Sequence, residues 1–343
     1  MNKNKKLFLW MGGLFLFLLI SIVISLRIGS VGVTIHTIYR ILVSHLFSIP
    51  LEVDWSTGQE AIIWNLRLPR ILLAMVVGGM LSLAGVAFQG ILQNPLADPY
   101  ILGVSSGAAL GAAISILLQT QRLFILSTSI SAFIGAMASL GFVLWLANLQ
   151  SRQKNEALIL AGVVVQSLIG ALLTFAIALS GEQMQTIIFW MMGSLANKEW
   201  LDIGILLPYF IFGFAFLWTQ HKEFNVMALG ERAAIHLGVD VNKKKWMILL
   251  VASLLTATAV SIVGIIGFVG LVIPHMLRIL TGPDHRILIP VSTIAGAIFL
   301  LWADTIARSI LPGREIPIGV VTALIGAPFF AYLLRQGLRR KSL

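Results

Sequence analysis

The chain alternates long apolar runs with short polar breaks. Ten runs are predicted to cross a bilayer, which needs a helix of roughly 20 residues, and all of them except 268–281 have about that length. They cover residues 7–28, 68–92, 100–118, 123–148, 156–179, 201–219, 246–266, 268–281, 287–308 and 317–336. The stretch 246–281 is nearly continuous, and Gly264, Gly267, Gly270 and Pro274 interrupt it, because proline within an apolar run kinks or ends a helix. The pattern predicts an all-α polytopic membrane protein with about ten transmembrane helices.

Composition supports this prediction. Apolar residues make up 58% of the chain, charged residues 11%, and the mean hydropathy is +0.95, whereas an ordinary soluble domain is about 25% charged. The net charge of +10 first suggests nucleic acid, but no basic patch is interleaved with exposed aromatic residues. The chain contains no cysteine, which excludes disulfides and cysteine-based metal sites. We expect a single transmembrane domain, 1–343, with no bound nucleic acid and no bound metal.

Loop charges predict the orientation of the helices. An even number of spans places both termini on one side of the membrane, and the basic residues of both termini, Arg152, the loop 220–245 and Arg286 fall on that same side. Because basic loops stay in the cytoplasm, both termini are expected there. The first apolar run is too long for a signal-peptide core and has no cleavage site after it, so it is interpreted as a retained helix.

Two external regions are expected to carry short helices. The loop 29–66 contains an amphipathic stretch. Its apolar face consists of Ile35, Ile38, Leu42 and Leu46, and its polar face consists of His36, Arg40 and Ser44. This helix either lies at the membrane surface or packs as an ordinary loop helix, and His36 and His45 are expected to be solvated. In the region 180–200, Phe189, Trp190 and Trp200 indicate either a short re-entrant helix or aromatic anchors at the interface.

The loop 220–245 is the largest polar stretch on the cytoplasmic side. Asn225 is predicted to cap a short helix that runs through Leu229, and Gly230 separates it from a second helix, 231–237, which Gly238 ends. Two short helices with a Gly-Glu joint indicate a docking surface for a soluble partner; an ordinary structured loop is the alternative.

The two halves of the chain contain similar interruptions. The stretch 85–99 resembles 264–278 in its glycines, prolines and polar residues, and five spans separate the two, so they would be inverted copies. Interrupted helices at matching positions in two halves indicate the transport pathway. The small polar residues expected to line this route are Ser82, Ser105, Ser106 and Thr256. The other candidate pathway and hinge residues are Gln89, Asn94, Pro95, Asp98, Pro99, Gly267, Gly270 and Pro274.

The sequence contains no nucleotide-binding motif and few intramembrane acidic residues with which the protein could power transport by itself. No phosphate-binding Gly-x-x-x-x-Gly-Lys-Ser/Thr motif occurs, and intramembrane acids are scarce, with Asp98 and Asp304 as the candidates. His275, Asp284 and His285 are better explained as polar anchors than as a metal site. The chain is therefore expected to be a non-enzymatic pathway for a large solute, powered from elsewhere. A self-sufficient secondary carrier and an intramembrane enzyme are the alternatives.

Several motifs resemble one family of transport proteins. They are Arg67-Leu-Pro-Arg70, Asn94-Pro-Leu-Ala-Asp-Pro99, Leu102-Gly-Val-Ser-Ser-Gly107, Ala228-Leu-Gly-Glu231, Gly267-Phe-Val-Gly-Leu-Val-Ile-Pro-His275 and Leu324-Ile-Gly-Ala-Pro328. In order and spacing they resemble the FecCD-type permeases, the membrane subunits of bacterial ABC importers for ferric siderophores, haem and vitamin B12. The resemblance extends from about residue 7 to 338.

The resemblance implies a partner set and a cargo. A second permease subunit, identical or homologous, two cytoplasmic ATPases that use ATP, and an external substrate-binding lipoprotein would complete the importer in the bacterial cytoplasmic membrane. A ferric siderophore is the expected cargo, and cobalamin or haem is the alternative.

The resemblance also implies residue roles. Arg67, Arg70 and Arg308 would pair with glutamates of the binding protein and steer this acidic partner; snorkelling to lipid headgroups is the alternative. Coupling to the ATPases would fall to the loop residues Ala228, Leu229, Gly230, Glu231 and Gly238. Arg232 departs from the wider importer pattern, so single contacts are not assigned there.

Overall fold

The computed structural model describes residues 3–29, 31–47, 53–118, 127–148, 154–311 and 313–341. All regular structure within these ranges is helical. In chain order the α-helices are α1 Lys3–Arg27, α2 Ile35–Phe47, α3 Thr57–Glu60, α4 Leu68–Ile91, α5 Val104–Leu117, α6 Ser127–Asn148, α7 Lys154–Leu179, α8 Met184–Met191, α9 Trp200–Thr219, α10 His221–Met227, α11 Glu231–His236, α12 Val241–Val263, α13 Val269–Thr281, α14 His285–Ala307 and α15 Ile318–Lys341. A π-helical segment, Ala61–Arg67, joins α3 to α4, and a 3₁₀ turn, Gly181–Gln183, precedes α8.

Ten of the described helical segments match the ten predicted spans. Seven are long and apolar enough to cross a membrane, and three shorter apolar ones are Val104–Leu117, Val269–Thr281 and Ile318–Tyr332. The predicted break near residue 267 is present, since α12 ends at Val263 and α13 begins at Val269. The all-α polytopic fold is confirmed.

Some predicted boundaries are wrong. The second span was expected to begin at residue 68, but one continuous helical stretch runs from Thr57 to Ile91, because Ser56 caps it and the π segment continues the backbone into α4. The third span begins at Val104 rather than 100, because a turn occupies the residues before it. Residues 123–126 of the fourth predicted span, residues 30 and 48–52 of the external loop, and Arg152 lie outside the described residues.

Helix α4 is the centre of the fold. It packs against α14, α12, α13 and α9, and nearly every residue from Ile71 to Ile91 is buried. Close approach requires missing side chains: a Cβ on Gly78 would lie 2.3 Å from the carbonyl oxygen of Gly296 in α14. Since lipid does not drive apolar helices together, contact between small residues is what lets such helices associate.

The external helix α2 packs onto the protein as well as facing outward. Ile38 and Ile41 are buried in a cluster with residues of α1, α4 and α14, while Ile35 and Leu46 are exposed, so the buried stripe is narrower than the predicted apolar face. His36 and His45 are both exposed, as expected. His45 also has partners at the surface: its Nε2 lies 2.7 Å from Glu60 Oε1, and its ring stacks on Trp64 at 4.3 Å between centroids.

The second external region forms helix α8, which packs against α5 and α7. Trp190 is partly buried against the core, whereas Phe189 is exposed. The backbone after α8 is also held inside the protein, because Ser194 N donates to Val263 O at 2.8 Å. These contacts favour the re-entrant helix over simple interface anchoring.

Candidate functional site

Five charged residues meet where α1 ends, α4 begins and α14 ends, and by the predicted topology this is the external side. They form the outer charged cluster: Arg67, Arg70, Asp304, Arg308 and Glu315. Their positions follow from local structure. The π segment ends at Arg67, and Pro69 follows it in the first turn of α4, where proline has no N–H to continue the backbone hydrogen bonding. Wide π turns occur frequently at functional sites.

Arg67 and Arg308 bind the end of helix α1. Arg67 donates from Nη1 to Leu26 O at 2.7 Å and from Nη2 to Val31 O, and Arg308 donates to the carbonyls of Ser25 and Ile28. The last carbonyls of a helix have no partner within it and carry partial negative charge, so two cations there are favourable. A Cβ on Gly29 would lie 2.4 Å from the Arg67 guanidinium, so a larger residue there would require the Arg67 side chain to shift.

Arg70 has a different set of partners. Its Nε donates to Asp304 Oδ1 at 2.9 Å, its Nη2 lies 2.8 Å from the same oxygen, and its Nη1 donates to both carboxylate oxygens of Glu315 at 2.7 and 2.9 Å. The Asp304 side chain is 0% exposed, that of Arg70 13% and that of Glu315 45%. Arg308 Nε is 3.6 Å from Asp304 Oδ2. A buried carboxylate next to paired guanidinium groups satisfies the rule that buried charges need partners.

The three arginines predicted to bind a partner are thus adjacent, but they are not open cations. Their guanidinium groups are mostly buried and already donate to carbonyls or carboxylates within the chain. A cavity of about 220 Å³ opens beside them, and Lys198 also lines it. Burial lowers the pKa of Lys198, and the charge of Asp202 opposes this shift. The docking role itself stays a prediction.

The two similar interruptions of the sequence contact each other. A Cβ on Gly85 in α4 would lie 1.9 Å from Gly270 O at the start of α13, and one on Gly270 would lie 2.5 Å from the ring of Pro99. Gln89 donates from Nε2 to Leu271 O at 3.0 Å. This contact between α4 and α13 is called the glycine crossing. Three predicted hinge residues therefore meet, while the inverted relation of the two halves stays a prediction.

The turn 94–103 is held on both sides. Within it, Leu96 N donates to Asn94 Oδ1 and Tyr100 N donates to Asp98 Oδ1, at 2.9 and 2.8 Å, so both polar residues act as turn formers. The Tyr100 hydroxyl donates to Ile266 O at 2.8 Å, and Gln166 of α7 donates to the carbonyl of Tyr100 at 2.9 Å. The turn thus connects α4, α7 and the break before α13.

Phe268 is a strained residue that the sequence does not reveal. Its φ is +69°, a conformation that a bulky residue rarely adopts, and it directly precedes α13. The side chain fits because Gly326 of α15 has none: a Cβ there would lie 2.5 Å from that of Phe268. Such strain concentrates at functional positions. A Cβ on the neighbouring Gly267 would meet nothing within 4 Å, so crowding does not explain that glycine.

The remaining pathway candidates differ in their exposure. Ser82 and Thr256 are fully buried and donate to Ser292 O and Ala252 O, so neither side chain faces open space in this structure, and their pathway role stays a prediction. Ser105 and Ser106 are half-buried in the first turn of α5. Pro95 is exposed, and Pro274 is buried within α13.

The loop between α9 and α12 contains the two predicted short helices, α10 and α11. Gly230, with φ +105°, separates them, and Gly238, with φ +83°, follows α11. The predicted helix cap is wrong: Asn225 lies inside α10, donates to Asp284 Oδ1 at 2.9 Å and accepts from His285 N at 2.9 Å. Because α10 begins at His221, Asn225 is an interior residue of the helix and its side chain bonds to the start of α14 instead.

Lysines from α12 hold this loop. Lys245 Nζ donates to Glu231 Oε1 at 3.0 Å, and Lys244 Nζ donates to Glu223 Oε1 at 2.9 Å. For Glu223, burial raises the pKa, but hydrogen bonding and charge from Lys244 outweigh it and the net pKa lies below its ordinary value. Large apolar side chains are nevertheless exposed on the loop, namely Leu229, Ile235 and Leu237.

No group of three or more metal-ligating side chains occurs among the described residues. The His275, Asp284 and His285 set considered from the sequence is not one cluster of ligands, because Asn225 binds Asp284 and His285 and the His275 ring lies edge-on to Phe330.

Comparison with known proteins agrees with the geometry. The sequence matches the FecCD transport family over residues 17–336. It is 42% identical to an uncharacterized ABC transporter permease, YvrB, of Bacillus subtilis over 93% of this chain and 91% of the relative. It is 43% identical to the cobalamin import system permease BtuC of Halobacterium salinarum over 84% of this chain and 78% of the relative.

A solved structure is similar across almost the whole fold. It is described as "an inward-facing conformation of a putative metal-chelate type ABC transporter", with TM-score 0.83 and 35% identity over 95% of this chain and 98% of that one. The chain therefore belongs to the FecCD transport family, as the non-catalytic, multi-pass permease subunit of an ABC importer in which partner ATPases hydrolyse ATP.

Proposed function

We propose that this permease translocates a metal chelate, a ferric siderophore in the first place, across the bacterial cytoplasmic membrane with both termini in the cytoplasm. The observation that carries the proposal is the similarity, over 95% of the chain, to a structure described as a metal-chelate type transporter. A solute of that size needs a route between helices, and the helices here meet through glycines that allow close packing and rearrangement.

Cobalamin is the second candidate cargo. It is favoured by the 43% identity to the cobalamin import permease of Halobacterium salinarum. Cobalamin is itself a bulky chelate of a metal, so the same route serves both cargoes and the binding protein makes most of the selection.

Uptake measurements separate these cargoes. Cells lacking the gene would be supplied with ⁵⁵Fe bound to a panel of siderophores, with ⁵⁵Fe-haem and with ⁵⁷Co-cobalamin, and a plasmid copy would restore the gene. We expect one ferric siderophore to lose uptake and regain it with the plasmid. Loss of cobalamin uptake alone would establish the second candidate, and unchanged uptake of every chelate would contradict the metal-chelate function.

For the outer charged cluster we propose docking of the external binding protein. The support is the meeting of Arg67, Arg70 and Arg308 around a cavity at one membrane face. Reversing Arg67 and Arg70 to Glu should weaken docking, and the difference from wild type should shrink as salt screens the charges. Unchanged affinity at low salt would remove this role.

For the loop of α10 and α11 we propose contact with the ATPases. The support is the exposure of Leu229, Ile235 and Leu237 on a loop outside the spans, because exposed apolar residues that lie close together mark interaction sites. Replacing all three with Ser should abolish co-purification of the ATPases while the permease still inserts. Ile310→Ser, an exposed apolar residue at the other face, is the matched control and should leave the complex intact.

Glu231 needs a compensated test because Lys245 binds it. Glu231→Lys should abolish uptake, and so should the swap Glu231→Lys with Lys245→Glu if Glu231 contacts an ATPase. Recovery of uptake by the swap would show that Glu231 acts through its ion pair alone.

A further inference from the structure

We propose that Glu315 is an internal competitor for Arg70, occupying the guanidinium edge that an acidic side chain of the binding protein takes when it docks. The proposal rests on the proposed docking role of the outer charged cluster and deepens it. It names Arg70 as the arginine of the docking cluster whose present partner can be exchanged, and it identifies Glu315 as the carboxylate of this chain that leaves when the binding protein docks.

The two carboxylates on Arg70 occupy different environments. Asp304 is fully buried and binds the Nε and Nη2 edge, which fixes the direction of the guanidinium. Glu315 binds Nη1 from the solvent side with a half-exposed side chain. Exposed ion pairs contribute little net stability, whereas removing one partner of a buried pair is costly. The Glu315 contact is therefore the one that can be exchanged.

Exchange at Arg70 conserves the bonding. An incoming carboxylate replaces an outgoing one, so Arg70 keeps the same number of charge-assisted hydrogen bonds, and the released Glu315 carboxylate enters water. Arg67 and Arg308 instead donate to backbone carbonyls at and just after the end of α1, and Arg308 also lies near the buried Asp304 carboxylate. A competitor there would leave those carbonyls without donors, which costs free energy when they are buried.

The backbone that follows Glu315 is held in place. Ile316 N donates to Ala307 O at 3.0 Å, and Ile318 N donates to Gly193 O at 3.3 Å. The Glu315 side chain can thus rotate away from Arg70 without a change in the course of the chain. Docking then needs only a rotamer change at this position, which is a common event at protein interfaces.

Binding measurements test the competition. The permease with its ATPases is placed in lipid nanodiscs, and the probe is the binding protein encoded with it, without its lipid anchor. We expect Glu315→Gln to tighten the Kd about two- to fivefold, the range that corresponds to one exposed ion pair. Glu182→Gln removes the same charge from an exposed external residue and should leave the Kd unchanged.

A double-mutant cycle makes the test specific. Arg70→Gln should weaken binding. Adding Glu315→Gln to Arg70→Gln should not change the Kd further, because the guanidinium group for which Glu315 competes is then absent. Glu315→Asp, whose carboxylate is one methylene shorter, provides a second variant and should tighten binding less than Glu315→Gln.

The outcomes are distinguishable. If Arg70→Gln weakens binding but Glu315→Gln does not tighten it, the competition is overturned and docking at the cluster stands. Two further outcomes also overturn the competition: equal tightening by Glu182→Gln, and tightening by Glu315→Gln in the Arg70→Gln background. In either case binding tightens because the permease has lost a negative charge, and not because Arg70 has been released. If Arg70→Gln leaves the Kd unchanged, the docking role fails and the competition fails with it.

Discussion

The outer charged cluster and the glycine crossing join the same helix, α4, to the rest of the protein by opposite means. At its outer end α4 meets α1 and α14 through long side chains, with guanidinium groups that reach carbonyls and carboxylates. Further along, α4 meets α13 through residues without side chains, and the backbones touch. The first contact depends on charges that must stay paired, and the second depends on volume that must stay empty.

The largest expected effect is at the buried member of the charged cluster. Asp304→Asn leaves Arg70 and Arg308 without their shared carboxylate, and breaking a buried ion pair costs about 3–5 kcal/mol. We expect the free energy of unfolding, measured in mixed micelles by circular dichroism, to fall by that amount. Asp54→Asn, which removes an exposed partner of Arg40, is the control and should cost less than about 1 kcal/mol. Equal losses would contradict the difference in burial.

The glycine crossing should respond to a single methyl group. Gly85→Ala places a Cβ against the Gly270 carbonyl oxygen, so α4 and α13 must separate, at a cost of about 1–3 kcal/mol. Gly141→Ala, where nothing lies within 4 Å of the added Cβ, should be neutral or stabilising, since Ala favours helix more than Gly. The same unfolding assay compares the two variants. A neutral Gly85→Ala would show that the helices do not approach so closely.

The smallest effect is expected at the turn before α5. Tyr100→Phe removes the hydroxyl that donates to Ile266 O and accepts from Ile266 N, and loss of such a hydrogen bond costs about 1 kcal/mol. Tyr332→Phe is the control, because Tyr332 is an exposed residue in α15. If both variants unfold at the same denaturant concentration as the wild type, the turn is not held by this contact.

The same comparison shows what could be predicted from the sequence. Length and hydropathy predicted the spans, since a helix must cover the bilayer, and Gly85, Gly270 and Pro99 stood out because glycine and proline interrupt apolar runs. The family motifs indicated Arg67, Arg70 and Arg308. The cluster as a whole was not predicted, because Arg70 and Glu315 lie 245 positions apart and no periodicity connects them.

Local exceptions were hidden for a related reason. Tertiary contacts override local preference at three places. They are the π segment that ends at Arg67, the positive φ of Phe268, and Asn225, whose side chain binds Asp284 instead of capping a helix. The contact of Lys245 with Glu231 was not predicted either. Such residues become visible only when the elements that they join are placed together.

Reconstitution tests the central claim, that this chain is a gate which takes its energy from partner ATPases. Proteoliposomes would contain the permease alone or the permease with its ATPases, both with binding protein and ⁵⁵Fe-siderophore outside. We predict accumulation against the gradient only when ATPases and ATP are present. Uphill accumulation by the permease alone, driven by a proton or sodium gradient, would contradict the account.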